Sequence, residues 1–125
     1  MKKVITIPNA PAPIGPYSQA ILKDNTLYVS GQIPLDPKTG ELQLDSIQQA
    51  TQQVMENIKA LVETAGLSMK DIVKCSIFLK TMDDFAAVNE VYASYFQSEP
   101  PARETVAVSQ LPLDVPVEIS CIAMR

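Results

Sequence analysis

The chain has 125 residues, of which 46% are apolar and 19% are charged, and this balance predicts one soluble globular domain over residues 1–125. Ten basic against fourteen acidic residues give a net charge of −4, which disfavours nucleic acid as a partner because phosphate binding requires a basic surface. The sequence contains no histidine, which excludes histidine general bases, histidine–zinc sites and Ser-His or Cys-His nucleophile pairs.

The N-terminal part of the chain shows the two-residue alternation of β-strands, interrupted by turn residues. The segments predicted there are a strand at 3–7, a proline-rich loop at 8–16, and hairpin strands at 19–23 and 26–30. Asp24-Asn25 is a favourable turn for this hairpin. A loop then starts at Gly31, with a short further strand near Leu42.

Two amphipathic helices and three more strands follow. The predicted segments are a helix at 46–65, a strand at 71–80, a helix from 83 or 84 to 96, and strands at 103–109 and 115–124. Asp45 or Ser46 can cap the first helix, Gly66 follows its end, and Pro100-Pro101 terminates the second. The order β-β-β-α-β-α-β-β predicts the α+β class, with a mixed sheet and both helices packed on one of its faces.

If both helices cover one face of the sheet, the other face is left bare. The strand residues predicted to face the helices are Leu27, Val29, Val73, Ile77, Val117, Ile119 and Cys121. Those predicted on the bare face are Tyr28, Ser30, Phe78, Glu118, Ser120, Ile122 and Met124. Several of the latter are large and apolar, so we expect another subunit to cover this face in an oligomer.

The cysteine pattern and the hydropathy indicate an intracellular protein. Cys75 and Cys121 lie in apolar alternating runs without a CxxC spacing, so we interpret them as buried reduced thiols rather than as a reactive site or a disulfide. No segment approaches transmembrane length and the first residues do not resemble a signal peptide. We therefore expect a cytoplasmic location and no membrane association.

Polar residues stand at a few positions where a structural need is less obvious. Tyr17 ends a rigid loop, Ser30-Gly31 leaves a strand, Arg103 opens a strand with Thr105 on its face, and Glu118 interrupts an apolar run. Each also has a structural explanation, such as an edge ion pair between Arg103 and Glu118, or a satisfied strand-end hydroxyl at Ser30. The adjacent Asp83-Asp84 is better explained as a helix cap than as a metal site.

Several ungapped motifs, in order along the whole chain, carry a resemblance to a known family. They are Ile14-Gly-Pro-Tyr-Ser-Gln-Ala20, Ser30-Gly-Gln-Ile-Pro34, Asn57-Ile-Lys-Ala60, Asp84-Phe-Ala-Ala-Val-Asn89, Pro101-Ala-Arg103 and Leu111-Pro-Leu-Asp-Val-Pro-Val-Glu-Ile119. Together they resemble the RidA/YjgF family of reactive-intermediate (enamine/imine) deaminases. The resemblance implies a chorismate-mutase-like fold and a homotrimer with a central barrel, with ligand pockets between subunits.

The resemblance also implies a reaction that needs no cofactor and no metal. Enamines released by pyridoxal-phosphate enzymes give 2-iminobutanoate or 2-iminopropanoate, which is hydrolysed to a 2-keto acid and ammonia. Arg103 matches the residue that binds the substrate carboxylate, and Glu118 matches the one that positions and deprotonates water. The remaining matched pocket positions are Tyr17, Ser30, the backbone at Gly31, Asn89 and Thr105.

An alternative is a non-catalytic trimer that binds a small carboxylate and regulates a partner protein. The intact Arg103 and Glu118 favour catalysis, because a simple carboxylate binder has no evident need for a nearby acid. A ribonuclease or translation inhibitor fits poorly with an acidic chain without histidine.

Four positions depart from what is common in the family. Glu104 and Thr105 stand where many relatives carry serine and cysteine, so thiol chemistry at 105 is excluded. Strand alternation is expected to direct Glu104 away from the pocket. Ser120 replaces a common acid and Leu113 a common lysine, and we expect both to affect subunit contacts or substrate range.

Overall fold

A computed structural model describes residues 1–10 and 12–125; Pro11, within the predicted 8–16 loop, lies outside the described residues. In that part of the chain the elements are β1 (Lys2–Ile5), β2 (Ala20–Lys23), β3 (Thr26–Gln32), α1 (Ile47–Thr64), β4 (Ile72–Leu79), α2 (Phe85–Ala93), β5 (Ala102–Ala107) and β6 (Val117–Met124). Single 3₁₀ turns precede β4, α2 and β6. The predicted order of strands and helices is confirmed.

The strands form one mixed sheet in the order β1-β2-β3-β6-β4-β5. All neighbours are antiparallel except β4 and β5, which are parallel and connected through α2. At the centre of the sheet Cys75 of β4 lies opposite Cys121 of β6, and Arg103 of β5 lies opposite Cys75. The predicted α+β class, with one mixed sheet and two helices, is therefore confirmed.

Helix α1 begins and ends near its predicted boundaries. The Ser46 hydroxyl accepts a hydrogen bond from the Gln49 amide, and Gly66 adopts φ +84° after the last turn, a conformation that favours glycine. The apolar stripe of the helix is buried against β3 and β6; its fully enclosed side chains include Val54, Met55, Ile58, Leu61 and Val62. This packing forms the core on one face of the sheet.

Helix α2 ends at Ala93, three residues before the predicted end at 96. The amides of Tyr95 and Phe96 bond to the carbonyls of Tyr92 and Ala93 in the tighter i to i−3 pattern, and the Ser94 hydroxyl donates to the Val91 carbonyl. These bonds convert the last turn into a tight turn. As a result, Phe96 lies beside the helix end rather than on the helix.

The predicted orientation of Val73 is wrong. Its side chain is 43% exposed, whereas Ile72 is buried with the core. The pairing of β4 with β6 shifts between Ile72 and Lys74, and this irregularity breaks the two-residue alternation at the start of β4. The other residues predicted to face the helices are buried, namely Leu27, Val29, Ile77, Val117, Ile119 and Cys121.

The sheet face opposite the helices, here called the open face, carries a row of apolar side chains across its strands. The row runs in register through Val4, Ile21, Tyr28 and Ile122, and Val4 and Tyr28 are 54% and 52% exposed. Phe78 and Glu118 pair in a second row on the same face. The predicted composition of this face is confirmed; its coverage by another subunit stays a prediction.

Two smaller features complete the fold. Leu35 and Leu42 form a single antiparallel bridge, which corresponds to the short strand expected near Leu42. Among residues 1–10 and 12–125, no helix combines the length and apolarity needed to cross a membrane.

Candidate functional site

Arg103 lies at the edge of the sheet, on the face covered by the helices. Its Nη1 donates a hydrogen bond to Asn89 Oδ1 of α2 at 2.7 Å. Its guanidinium carbon lies 5.1 Å from the ring centroid of Tyr92 and 5.8 Å from that of Phe85. Because the guanidinium is held by a neutral amide and two aromatic rings, its orientation is fixed without neutralising its charge.

A cavity of about 350 Å³ opens beside this guanidinium. It is lined by Asn89, Tyr92, Ala93, Phe96, Pro100, Pro101 and Arg103. The ion pairs in the described part of the chain join Lys74 to Glu104 and Lys80 to Asp114, so neither involves Arg103. A positive group in the wall of a mostly apolar cavity is suited to a small molecule that carries a carboxylate and an apolar substituent.

Glu104, one of the positions where the sequence differs from what is common in the family, points away from Arg103 as expected. The Glu104 carboxylate accepts a short hydrogen bond from the Ser76 hydroxyl and lies 3.1 Å from Lys74 Nζ, on the open face. The Ser76 hydrogen bond and then the Lys74 ammonium lower the pKa of Glu104. The predicted orientation of Glu104 away from Arg103 is confirmed, and its charge is engaged elsewhere.

Thr105 shares the strand face of Arg103 but does not line the cavity. Its hydroxyl oxygen is buried and has no hydrogen-bond partner within the described residues. A contact from Thr105 to a substrate therefore stays a prediction.

The two cysteines are free and buried, as predicted. Burial raises the pKa of both thiols, that of Cys121 strongly. The buried Tyr92 hydroxyl lies beside the Cys75 thiol without a well-aligned hydrogen bond, and burial raises the pKa of this phenol as well. Neutral, enclosed thiols are poor nucleophiles, so both cysteines belong to the hydrophobic core rather than to a reactive centre.

A second group of polar residues surrounds Glu118 on the open face. Gly31 packs so closely on this side chain that a Cβ at position 31 would lie 2.6 Å from Glu118 Cδ. A side chain at position 31 would displace the Glu118 carboxylate, so glycine at this position permits the close approach. Glu118 is half-buried, and this burial raises the pKa of its carboxyl group. Such a group retains a proton more readily than an exposed glutamate, which suits acid–base chemistry.

Ser30 precedes Gly31, and hydrogen bonds join it to the loop that carries Tyr17. The Ser30 hydroxyl donates to the Ser18 carbonyl at 2.7 Å, and the Ser30 amide donates to the Gln19 carbonyl at 2.9 Å. These bonds tie the loop that carries Tyr17 to the end of β3, and the Tyr17 side chain is 57% exposed. Because the Ser30 hydroxyl proton is donated to the Ser18 carbonyl, the hydroxyl oxygen can act toward a ligand only as an acceptor.

The chain does not bring these two groups of residues together. Arg103 and Asn89 lie on the helix side of the sheet, whereas Ser30, Gly31 and Glu118 lie on the open face. Strand β4 also separates β5, which carries Arg103, from β6, which carries Glu118. The alternative explanation of these residues as an edge ion pair is therefore wrong within one chain. A site that uses both needs two copies of the chain.

The aromatic and apolar residues around Arg103 were not predicted to belong to a site. Phe85, Tyr92 and Phe96 lie in the segment predicted as the second helix, and no function was assigned to them. Phe85, Asn89 and Tyr92 have i, i+4, i+7 spacing, which places them on one helix face. An amide side chain between two aromatic rings on one helix face can hold a cation, and this spacing is the sequence signal that could have indicated the site.

No group of three or more cysteine, aspartate and glutamate side chains that could hold a metal ion occurs in residues 1–10 and 12–125.

Known proteins match the whole length of this fold. A family model described as Endoribonuclease L-PSP matches residues 7–125. A RutC family protein of Pyrococcus horikoshii is 56% identical over 125 residues, covering 100% of this chain and 99% of the relative. The 2-iminobutanoate/2-iminopropanoate deaminase of Escherichia coli K12 is 48% identical over 128 residues, covering 100% of this chain and 99% of that protein. The crystal structure of the YjgF gene product from E. coli aligns with a TM-score of 0.92 at 46% identity, covering 98% of each chain.

Proposed function

This chain belongs to the RidA/YjgF family, and we propose that it hydrolyses reactive 2-imino acids to 2-keto acids and ammonia. The observation that carries the proposal is the Arg103 guanidinium, which faces a cavity, is held by Asn89, Tyr92 and Phe85, and pairs with no carboxylate among residues 1–10 and 12–125. The name of the E. coli relative, a 2-iminobutanoate/2-iminopropanoate deaminase, supports the choice of substrate class.

Arg103 binds the substrate carboxylate in this proposal. A guanidinium forms two parallel hydrogen bonds to a carboxylate, which fixes both the position and the plane of the imino acid. The hydrogen bond to Asn89 leaves the other donors of Arg103 for this contact. The substituent on the imine carbon then occupies the apolar part of the cavity near Ala93 and Phe96.

Glu118 of a neighbouring copy activates the water. The water oxygen attacks the imine carbon while the carboxylate accepts a proton, and the same proton is then returned to nitrogen. In the resulting carbinolamine the Glu118 carboxylate takes the hydroxyl proton and passes it to the amino nitrogen. The carbon–oxygen double bond forms as the carbon–nitrogen bond breaks and ammonia leaves, so one imino acid and one water give one 2-keto acid and one ammonia. The imine carbon is already electrophilic, and a positioned water and a bound charge are sufficient for this hydrolysis.

Ser30, Gly31 and Tyr17 complete the water-bearing side of the site. The free lone pair of the Ser30 hydroxyl accepts a hydrogen bond from the imine N–H or from the water. Gly31 brings the backbone against the Glu118 carboxylate, and the exposed Tyr17 hydroxyl lies at the end of the loop tied to Ser30.

Assembly of the site follows from the open face. Its exposed apolar row, Val4, Ile21, Tyr28 and Ile122, is the surface that we propose is covered in a homotrimer. In such a ring the helix-side cavity of one copy meets the open-face edge of the next, and each pocket contains Arg103 from one chain and Glu118 from the other.

The proposal is tested by generating 2-iminobutanoate in situ from 2-aminobutyrate with an amino acid oxidase. Release of 2-oxobutanoate and ammonia should be faster with the protein than in its absence. A rate equal to the uncatalysed one, with retained binding of 2-oxobutanoate, would instead support the carboxylate-binding regulator. The Cys75→Ser variant serves as a control, since we expect its rate to match that of the wild type.

A further inference from the structure

Asn57 is a buried polar residue on a helix face that is otherwise almost entirely apolar. It belongs to α1, is 5% exposed, and shares the buried face only with Thr51 among polar side chains. Thr51 satisfies its hydroxyl within the helix, by donating to the Ile47 carbonyl at 2.8 Å. The Asn57 amide instead reaches out of the helix, which indicates a role outside helix stability.

The Asn57 side chain holds the chain segment that leaves β3. Its Nδ2 donates to the Leu35 carbonyl at 2.9 Å and to the Ile33 carbonyl at 3.3 Å. Its Oδ1 accepts a hydrogen bond from Gln53 Nε2 at 3.0 Å, which fixes the orientation of the amide group. Both donors and the acceptor of Asn57 are therefore used, and the two carbonyls would be left without this partner if the amide were removed.

The held segment is adjacent to the residues around Glu118. Ile33 lies two positions after Gly31, and the pairing of β3 with β6 is irregular between Val29 and Gln32. Because an irregular strand end is not fixed by regular ladder bonds alone, its position depends on such anchors. Gly31 packs directly against the Glu118 side chain, so a displacement of this segment would change the packing around the carboxylate.

We propose that Asn57 is a positioning residue that holds Gly31 against Glu118 from the opposite face of the sheet. The inference rests on the proposed function, in which Glu118 activates water, for its effect on catalysis. The motif Asn57-Ile-Lys-Ala60 contributes no residue to the lining of the cavity, and the inference gives its first residue a role in positioning the site.

The charged groups near Glu118 do not account for its raised pKa. On the open face, Lys74 of β4 is paired with Glu104 of β5, and Lys80 after β4 is paired with Asp114. Tyr28 of β3 is the titratable residue on that face of the neighbouring strand. In the proposed assembly, Arg103 of a neighbouring copy is the further charge that faces Glu118. Within the chain, burial is the cause of the raised pKa of Glu118. If Gly31 moved away, water would reach the carboxyl group and its pKa would return toward the ordinary value.

The test compares Asn57→Leu, which has a similar volume without donors, with Thr51→Val as a matched control on the same buried helix face. We expect Asn57→Leu to lower kcat by about ten- to a hundredfold, since small displacements of catalytic groups have effects of this size, while KM changes little. Thr51→Val should leave kcat and KM unchanged even if it lowers the melting temperature. Equal kcat in the wild type and Asn57→Leu would overturn the inference.

A second measurement keeps the inference testable if the chain does not deaminate imino acids. The titration of the Glu118 carboxyl carbon, followed by NMR, should shift toward the ordinary glutamate range in Asn57→Leu and remain unchanged in Thr51→Val. If Asn57→Leu does not fold, Gln53→Ala, which removes only the bond that orients Asn57, should give the same shift to a smaller extent. A Glu118 titration that is the same in wild type and variant would show that Asn57 only stabilises the fold.

Discussion

The chemical character of Arg103 is determined by its neutral surroundings. Asn89 accepts one of its hydrogen bonds, Tyr92 and Phe85 present their ring faces, and the nearby Glu104 is turned to the other side of the sheet, where Ser76 and Lys74 bind it. A guanidinium in such surroundings attracts an anion more strongly than one already paired with a carboxylate.

Replacement of Arg103 by lysine keeps the charge and removes the planar fork. We expect Arg103→Lys to lower kcat/KM by about ten- to a hundredfold, the effect of losing one hydrogen bond to a charged group, with most of the change in KM. Steady-state kinetics with 2-iminobutanoate measure it. Arg125→Lys is the matched control, because Arg125 contacts the Ala65 carbonyl away from both groups of site residues. An unchanged KM in Arg103→Lys would contradict the assigned role.

An aspartate at position 89 would give Arg103 a permanent counter-ion. We expect Asn89→Asp to raise KM for the imino acid at neutral pH because the new carboxylate competes with that of the substrate. The role of Asn89 as a neutral partner would be refuted by a KM in Asn89→Asp equal to that of the wild type.

In the proposed reaction Glu118 is the general base, and its raised pKa is expected to set the acid side of the pH profile. A general base acts in its deprotonated form, so kcat should fall as the pH decreases through the pKa of Glu118. Burial within the chain raises this pKa, and in the complex the substrate carboxylate offsets the charge of the neighbouring Arg103, so the acid limb of the kcat profile should lie above the ordinary range of an exposed glutamate. Glu118→Gln should abolish this limb together with most of kcat. An unaltered limb in Glu118→Gln would assign it to another group.

At the scale of elements, sequence periodicity predicted the helices and the strand order, because amphipathic stripes and turn residues are local signals. Helix α1 begins and ends within a residue of its prediction. Val73 was placed on the wrong face because the irregular pairing between Ile72 and Lys74 depends on β6, which is distant in sequence. The alternation within a strand is a local property, whereas pairing between strands is not.

The candidate site likewise combines features that local sequence signals predicted with features that depend on distant parts of the chain. Motifs identified Arg103 and Glu118, and alternation placed Glu118 on the bare face. The face of Arg103 follows from its register with Cys75 and from its contacts with α2, which no local pattern contains. The cavity beside it depends on Phe96, whose position results from the early end of α2.

The end of α2 provides a test of the orientation proposed for the substrate. Ala93 lines the apolar part of the cavity, so Ala93→Leu should reduce kcat/KM for a leucine-derived imino acid by about tenfold more than for 2-iminopropanoate. Ala86→Leu, at an exposed position of the same helix, is the control and should affect neither substrate. An equal reduction for both imino acids would place the substituent outside this cavity.

At the scale of the whole molecule, the open face and the division of the site have a common explanation. One chain exposes the row of Val4, Ile21, Tyr28 and Ile122, and it carries its two groups of polar residues on opposite faces of the sheet. Contact between copies would bury the apolar row and bring the two groups of polar residues together.

A charge in the middle of the row tests this assembly. Tyr28→Lys should give a monomer in sedimentation velocity and lose activity, because the site can no longer form. Met82→Lys, a comparably exposed residue before α2, is the control and should remain assembled and active. A monomeric Tyr28→Lys with full activity would contradict a site shared between copies.

The most direct test of the central claim, that Arg103 of one copy acts with Glu118 of another, is complementation between two inactive variants. Arg103→Ala and Glu118→Gln chains are mixed in equal amounts, reassembled, and verified as hybrids by native mass spectrometry. Random mixing in a cyclic oligomer leaves an intact pair at about a quarter of the interfaces, so about a quarter of the wild-type activity should return. Verified hybrids with no more activity than the separate variants would show that the two residues do not share a site across subunits.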